Sequence, residues 1–284
     1  MTKVLVVGCG DLGGEIAQLL AAAAYEVVGV RVSDKPLSNH LRCIQADVTK
    51  VASLVPLEGV NPNVIVYCVA ANEQTDESYQ AHYVEGLKNV LTTQAANPNL
   101  EHVFFISSTR VYGQTSNQIL DEAVIPMPSD FGGERLLEAE GLLRSLQCAA
   151  TAIRFSGIYG PGRLYMINMA KDPNRWSKIN KWTNRIHRDD AASFVVFLCE
   201  KVIAGEVVED CYIGTDDRPT LQHDVLAWLG KKLDIITPVL DCNLLINGSR
   251  LGNMRMRASG YQLKYANYQL GYGEILKNEV LNNA

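Results

Sequence analysis

No stretch of the 284-residue sequence approaches the ~18 uninterrupted apolar residues that a membrane-spanning helix needs. Its first apolar run, Val4 to Val7, is cut off by Gly8 and Asp11 too early for a secretory-signal core, so a cytoplasmic protein is expected, with no membrane partner. There is no CxxC pair. The seven cysteines (Cys9, Cys43, Cys68, Cys148, Cys199, Cys211 and Cys242) are scattered and odd in number, which suits small core hydrophobes in a reducing compartment better than a disulfide framework. His40, His82, His102, His187 and His223 lie far apart, with no HExxH motif or Cys/His cluster, so no metal is expected. A surplus of basic charge is also lacking: 26 Lys and Arg against 31 Asp and Glu leave a net charge of -5, which argues against a general nucleic-acid surface. Any anionic ligand must then be held by local features. Internal repeats, charge runs and a linker are missing too, and aromatics at 7% with 22 Gly and 10 Pro exclude a collagen-like or low-complexity chain. What is there, 47% apolar and 20% charged residues, is an ordinary globular composition, long enough for one large α/β unit or two modest domains.

The N-terminal half alternates. Lys3 to Gly8 is a short apolar run ending in glycine, Glu15 to Ala24 is rich in alanine and leucine at helical spacing, and Glu26 to Val30 reads as a second strand. Further apolar runs at Val64 to Ala70, Val103 to Ser107 and Thr151 to Phe155 alternate with helical stretches at about 78–95 and 132–146. Continuous runs of this kind are what strands buried on both faces look like. The pattern predicts an α/β fold, a doubly wound parallel Rossmann sheet, with ligand at the carboxyl ends of its strands.

Gly8-Cys9-Gly10-Asp11-Leu12-Gly13 is a GxGxxG sequence between the first strand and the first helix. Gly8 permits a tight turn, Gly10 lets backbone approach a pyrophosphate, and Gly13 lets helix pack on strand, while the helix N-terminus favours anions. Gly8, Gly10, Asp11, Leu12 and Gly13 are therefore candidate cofactor-binding residues. At the end of the second strand, where an NAD site usually offers an acidic residue, the chain has Val30, Arg31, Val32 and Ser33. Arg31 can pair with a ribose 2′-phosphate, which favours NADP over NAD; a solvated strand-end arginine is the alternative.

From here the chain resembles the extended and atypical short-chain dehydrogenase/reductases, the superfamily of NAD(P)-dependent nucleotide-sugar epimerases and dehydratases. Ala46-Asp47-Val48 resembles the Asp-Val step beside the adenine, and Val69-Ala70-Ala71 the strand end beneath the cofactor. His82 to Leu91 is similar to the fourth helix, and Ser107-Ser108-Thr109-Arg110-Val111-Tyr112-Gly113 to the active-site serine segment, so the resemblance implies that Ser108 is the catalytic Ser/Thr. Arg154 to Arg163, with Tyr159-Gly-Pro-Gly162, is similar to the strand and loop that turn toward the substrate lobe, and His187-Arg-Asp-Asp190 to a signature opening a helix near the cofactor. Arg250 falls where many relatives present a basic residue to a nucleotide-sugar phosphate. Tyr112, Tyr159, Arg163 and Arg250 are the implied substrate candidates; for Arg154 a buried ion pair is expected.

One departure bears on the chemistry. The superfamily uses a Tyr-x-x-x-Lys pair, in which the phenol exchanges a proton with the substrate hydroxyl and the lysine holds the nicotinamide ribose. Here Phe131 and Arg135 stand at those positions, and no tyrosine in the chain is followed four residues later by lysine. Phe131 has no exchangeable proton, whereas Arg135 can still donate to ribose oxygens. Two readings follow: an atypical oxidoreductase or epimerase-like enzyme for a small polar, nucleotide-linked substrate, with Ser108 and Arg135 as its catalytic residues; or a non-catalytic NADP(H)-binding sensor or assembly protein. Tyr112, Tyr159 and Glu134 are the side chains considered for the missing proton donor. A Rossmann core over residues 1–160, continued by 186–215, and a smaller substrate-binding lobe over 161–185 and 216–284 are expected, with homodimerisation left open. In the lobe, Lys171, Arg175, Lys178, Lys181 and Arg185 are expected to form a solvated basic face or to attract a phosphorylated substrate. The chain then continues through an amphipathic helix at Ala191 to Lys201, a strand at Val207 to Ile213, a helix at Thr220 to Lys231 and an ordered closing segment from Met254 to Asn282.

Overall fold

The computed structural model describes residues 2–34, 41–238 and 246–282, so His40 and Cys242 lie outside the described residues. Its framework is a parallel sheet of seven strands: β1 (Lys3–Val7), β2 (Glu26–Arg31), β3 (Arg42–Gln45), β4 (Val64–Tyr67), β5 (His102–Ser108), β6 (Ala149–Phe155) and β7 (Cys211–Gly214). The order across the sheet is β7-β6-β5-β4-β1-β2-β3, so the chain moves outward from β1 in one direction, then returns and builds in the other. The reversal falls between β1 and β4, where Val4 pairs with Val64 and Val7 with Tyr67. In such sheets the carboxyl ends of the strands at the reversal flank the ligand crevice.

The β1 residues Val4 to Val7 and the β4 residues Val64 to Tyr67 are fully buried, as expected of strands covered on both faces. Helix α1 (Asp11–Ala22) buries Leu12, Ile16 and Leu20 at four-residue spacing together with Gly13 and Ala17, one stripe facing inward. Burying each large side chain stabilises by about 1.5–3 kcal/mol.

The chain divides into two compact units. The first comprises Met1–Gly113, Pro126–Arg154 and Ala192–Tyr212; the second Gln114–Ile125, Phe155–Ala191 and Ile213–Ala284. Residues 114–125 group with the second unit although they lie inside the 1–160 span expected of the Rossmann core.

The second unit is built from short pieces. Gly157–Tyr159 pairs in parallel with Arg185–His187, and Asn180–Thr183 lies between Thr220–Leu221 and Ile246–Asn247. Its core gathers Tyr159, Ile167, Val225, Leu226, Leu229, Tyr268 and Tyr272. Asp190 joins this unit to itself across a long sequence gap, accepting hydrogen bonds from the backbone N–H groups of Lys264 (2.7 Å) and Tyr265 (2.8 Å) and from the Tyr261 hydroxyl (3.1 Å). Of the five basic residues expected to be surface charge or phosphate attractants, Lys171, Arg175, Lys178 and Lys181 are exposed. Arg185 departs from the solvated reading: it is buried, with its guanidinium stacked over the Tyr268 ring, 5.4 Å from the centroid.

Candidate dinucleotide site and its catalytic neighbourhood

The glycine turn is tied to the end of β2. The amides of Gly8 and Cys9 both donate to the Val30 carbonyl at 2.9 Å, which brings Arg31 beside the loop. Gly8 sits at φ +93°, and a Cβ there would lie 2.5 Å from the Cys68 carbonyl oxygen, so the turn also abuts the strand end that leads to Val69. A Cβ on Gly13 would meet the Gly8 oxygen at 2.3 Å, whereas one on Gly10 would meet nothing within 4 Å. Gly8 and Gly13 are thus required by the protein's own packing, while Gly10 opens onto free space. Gly10 also caps α1 without any side-chain hydrogen bond. An exposed helix start beside an unobstructed glycine suits a pyrophosphate.

The Asp47-Val48 step, the candidate adenosine end, is tied down by its own contacts. Asp47 accepts from the Thr49 amide (3.0 Å) and hydroxyl (2.7 Å) and pairs with Lys50 (3.3 Å). Partial burial raises its proton affinity, but these contacts prevail and hold the carboxyl below the usual range. Val48 is buried. Ser33, two residues past Arg31, has a buried hydroxyl with no hydrogen-bond partner among the described residues. A buried hydroxyl without a partner is costly, and a ligand oxygen would relieve it. The residues present therefore fit a dinucleotide. Val69 and Ala71 are half-buried and Ala70 exposed in the segment after β4.

Ser108 ends β5, and its Oγ accepts from the Arg110 amide at 3.2 Å. Phe131 is the first residue of helix α2 (Phe131–Leu143), immediately after the capping Asp130. Arg135, one turn further, is committed to carboxylates: Nε and Nη2 donate to Asp76 at 2.7 and 3.0 Å, and Nη1 to Glu138 at 2.7 Å. To reach a ribose it must share its donors with these partners. Tyr112 is buried with its hydroxyl accepting from Arg154 Nη1 at 2.7 Å, and Glu134 is exposed on the first turn of the helix. Glycines, Arg31, Asp47, the 69–71 segment, Ser108, Tyr112 and Arg135 all belong to the first unit.

Tyr159, Arg163 and Arg250 belong to the second. Tyr159 is buried against Tyr272, ring centroids 4.3 Å apart, and burial pushes its phenol well up. Arg163 is exposed. Arg250 donates to the Asn117 carbonyl and stacks over Trp182 at 5.2 Å.

Two features escaped the sequence reading. The first is a cluster around Phe131 made by Arg110, Asp130, Gln74, Tyr79 and Tyr83; burial pushes the Tyr83 phenol up to about 12. Tyr79 immediately precedes and Tyr83 lies within a π-helical segment, Gln80–Glu85, a distortion frequent at functional sites. The second is Asp216, only 1% exposed, whose carboxyl burial pushes up to about 7. The native state thus holds this proton through the range where an unfolded aspartate has lost it, and stability falls as pH rises from about 4 through 7. Asp216→Asn removes the ionising group, so its stabilising effect relative to the parent is expected to be about 2 kcal/mol larger at pH 8 than at pH 5. Urea unfolding of both proteins at the two pH values checks this; a pH-independent difference would show Asp216 to be ionised throughout.

A parallel sheet reversing at β1 and β4, with a glycine turn leading into the first helix, defines a Rossmann-type dinucleotide-binding fold. Within that class, the model of the NAD dependent epimerase/dehydratase family matches residues 4–214, and the chain belongs to this family. Similar to it is a solved structure from Methylobacillus flagellatus, provisionally assigned as an NAD-dependent epimerase/dehydratase: 44% identity, TM-score 0.89, covering 98% of each chain. The UDP-glucose 4-epimerase of Thermus thermophilus in complex with NAD shares the fold at 16% identity and TM-score 0.76, over 95% of this chain and 96% of that one. Protein YeeZ of Escherichia coli K12 is 24% identical over 269 residues, 89% of this chain and 94% of YeeZ. Among the described residues no helix is long and apolar enough to cross a membrane, and no His, Cys, Asp and Glu group could hold a metal ion.

Proposed function

We propose that the protein is a cytoplasmic NADP(H)-dependent oxidoreductase of the epimerase type, acting on a small polar, nucleotide-linked sugar. The observation that carries the reading is the glycine turn, in which Gly8 and Gly13 are packed shut while Gly10 is left open beside an uncapped helix start. The bound dinucleotide would accept and return a hydride. The chain's own part is to place it: the 8–13 turn at the pyrophosphate, Asp47 and Val48 at the adenine, the 69–71 segment and Arg135 at the nicotinamide half. Ser108 donates to the reacting oxygen, and Tyr112, Tyr159, Arg163 and Arg250 are the residues proposed on the substrate side. Solved relatives of the fold carry UDP-sugar epimerase activity or bind NAD with UDP, which supports this substrate class.

Arg31 and the unpartnered Ser33 hydroxyl support NADP over NAD. Arg31→Ala is expected to weaken NADPH by about tenfold or more, the size of one charge-assisted hydrogen bond, and to leave NADH unchanged. Fluorescence titration with both reduced cofactors checks this, and equal losses would remove Arg31 from the site. Phe131 favours the second reading, a binding protein without turnover, because the residue at the proton-donor position carries no proton.

A further inference from the structure

We propose that Tyr79, backed by Arg110, is the proton-exchanging group of this site, doing what Phe131 cannot; the inference rests on the enzymatic reading above. The Tyr79 ring meets the Phe131 ring edge-on, centroids 5.4 Å apart at 89°, so Tyr79 packs directly against the residue that stands at the family's tyrosine position. Arg110 Nη1 donates to Tyr79 Oη at 2.7 Å and to the Gln74 side-chain oxygen at 3.0 Å, and Tyr79 Oη donates to that same oxygen at 3.1 Å. Gln74 is exposed, so the Tyr79 hydroxyl hands its hydrogen bond to a solvent-facing side chain although the Tyr79 ring is buried. A phenol backed by a fixed cation is the arrangement that proton transfer needs, because the cation stabilises the phenolate left behind.

The surrounding residues are shaped for that cation. Asp130 accepts from Arg110 Nε at 2.8 and 3.1 Å while capping the helix through the Gly133 amide at 3.0 Å. A Cβ on Gly132 would lie 2.4 Å from the guanidinium carbon of Arg110, and one on Gly133 2.7 Å from the Arg110 carbonyl oxygen. Thus Asp130-Phe131-Gly132-Gly133 and Arg110 are matched: the segment with phenylalanine at the tyrosine position is the one that makes room for and anchors the guanidinium. Arg110 lies over both rings, 5.0 Å from Tyr79 and 5.2 Å from Phe131.

In the reducing direction the Tyr79 O–H bond breaks and a new O–H bond forms on the substrate oxygen, balanced by the hydride that a bound dinucleotide would supply to the carbonyl carbon. The electron pair stays on Tyr79 as a phenolate facing Arg110, and solvent returns the proton. Oxidation runs the same transfers backwards.

The test compares wild type, Tyr79→Phe, Arg110→Gln and the double variant Tyr79→Phe/Phe131→Tyr. NADPH binding, read by fluorescence, should stay within about twofold in Tyr79→Phe, while reduction of bound NADP by UDP-glucose, UDP-galactose, UDP-N-acetylglucosamine or UDP-glucuronate, read by nicotinamide absorbance, should fall ~10²- to 10⁴-fold. Phe131→Tyr should restore about tenfold or more of that loss, since Arg110 faces either phenol; a purely structural Tyr79 would not be rescued there. A Tyr79→Phe rate within about twofold of wild type overturns the proposal. Arg110→Gln should likewise slow this reduction by about tenfold or more with NADPH binding kept, and an unchanged rate would overturn the pairing. If wild type reduces its cofactor with none of these sugars while NADPH still binds, the enzymatic reading fails and this proposal with it, whereas a wild-type rate that survives Tyr79→Phe overturns the proposal alone.

Discussion

Glu140→Ala is expected to lower the stability of the chain by about 3–5 kcal/mol, the cost of leaving a buried charge without its partner. Arg154 lies on β6 and Glu140 on α2, with side chains only 9% and 10% exposed. The guanidinium meets the carboxylate through Nε at 3.0 and 3.2 Å and through Nη2 at 2.6 Å, and Ser107 Oγ donates to the same carboxylate at 2.6 Å. The remaining nitrogen, Nη1, donates to Tyr112, over whose ring the guanidinium also stacks at 5.2 Å. Removing the carboxylate therefore orphans an arginine and a serine together, beside the strand end that carries Ser108. Arg154→Met with Glu140→Leu should recover most of the loss, because an apolar pair strands no charge. Urea midpoints at constant slope measure both, and a loss under about 1 kcal/mol for Glu140→Ala would show that water reaches the arginine.

Gly13→Ala is the second large effect, expected to cost about 3 kcal/mol or more. The added methyl would sit 2.3 Å from the Gly8 carbonyl oxygen and 3.4 Å from the Cys68 Cβ, and the contacted oxygen is backbone, which cannot swing aside. Gly8 cannot retreat either: its φ of +93° and its bond to Val30 hold it between β2 and the segment after β4. Helix α1 must then lift from β1. A loss of less than about 1 kcal/mol in urea unfolding would mean that helix and strand are not held at this spacing.

What the sequence disclosed follows from how each element is buried. β1, β2 and β4 to β6 were legible because strands covered on both faces are written as largely apolar runs, and α1 because its stripe repeats every four residues. β3 left no such signal: of Arg42, Cys43, Ile44 and Gln45, only Ile44 is buried. Arg185 was misplaced for a related reason. A basic residue in a polar stretch reads as surface, and only the fold supplies Tyr268, more than eighty residues away, to cover it.

In the site, the glycine turn could be read because its three glycines do their work within six residues. The Tyr79 and Arg110 pair could not, since its members are 31 residues apart and meet only when β5 and the helix before it are packed. One local trace existed: two consecutive glycines after Phe131, inside a helix, where glycine weakens the helix and calls for a packing reason. That reason is Arg110, whose guanidinium lies against Gly132 and whose carbonyl lies against Gly133. Asp216 gave no trace, since Asp216-Asp217 reads as a solvated turn until burial is known.

The most direct test of dinucleotide binding is calorimetric titration of NADPH into wild type and Gly10→Ala side by side. Gly10 has open space where its Cβ would go, but its φ of -81° and ψ of -144° lie outside the regions alanine prefers, so alanine should cost the free protein about 1–3 kcal/mol while leaving it folded. The same methyl would stand where the pyrophosphate approaches the backbone, and NADPH affinity should fall by about tenfold or more, one or two lost backbone hydrogen bonds to a charged group. Wild type that takes up no NADPH, or Gly10→Ala that binds it as tightly as wild type, would contradict the assignment of this turn as the cofactor site.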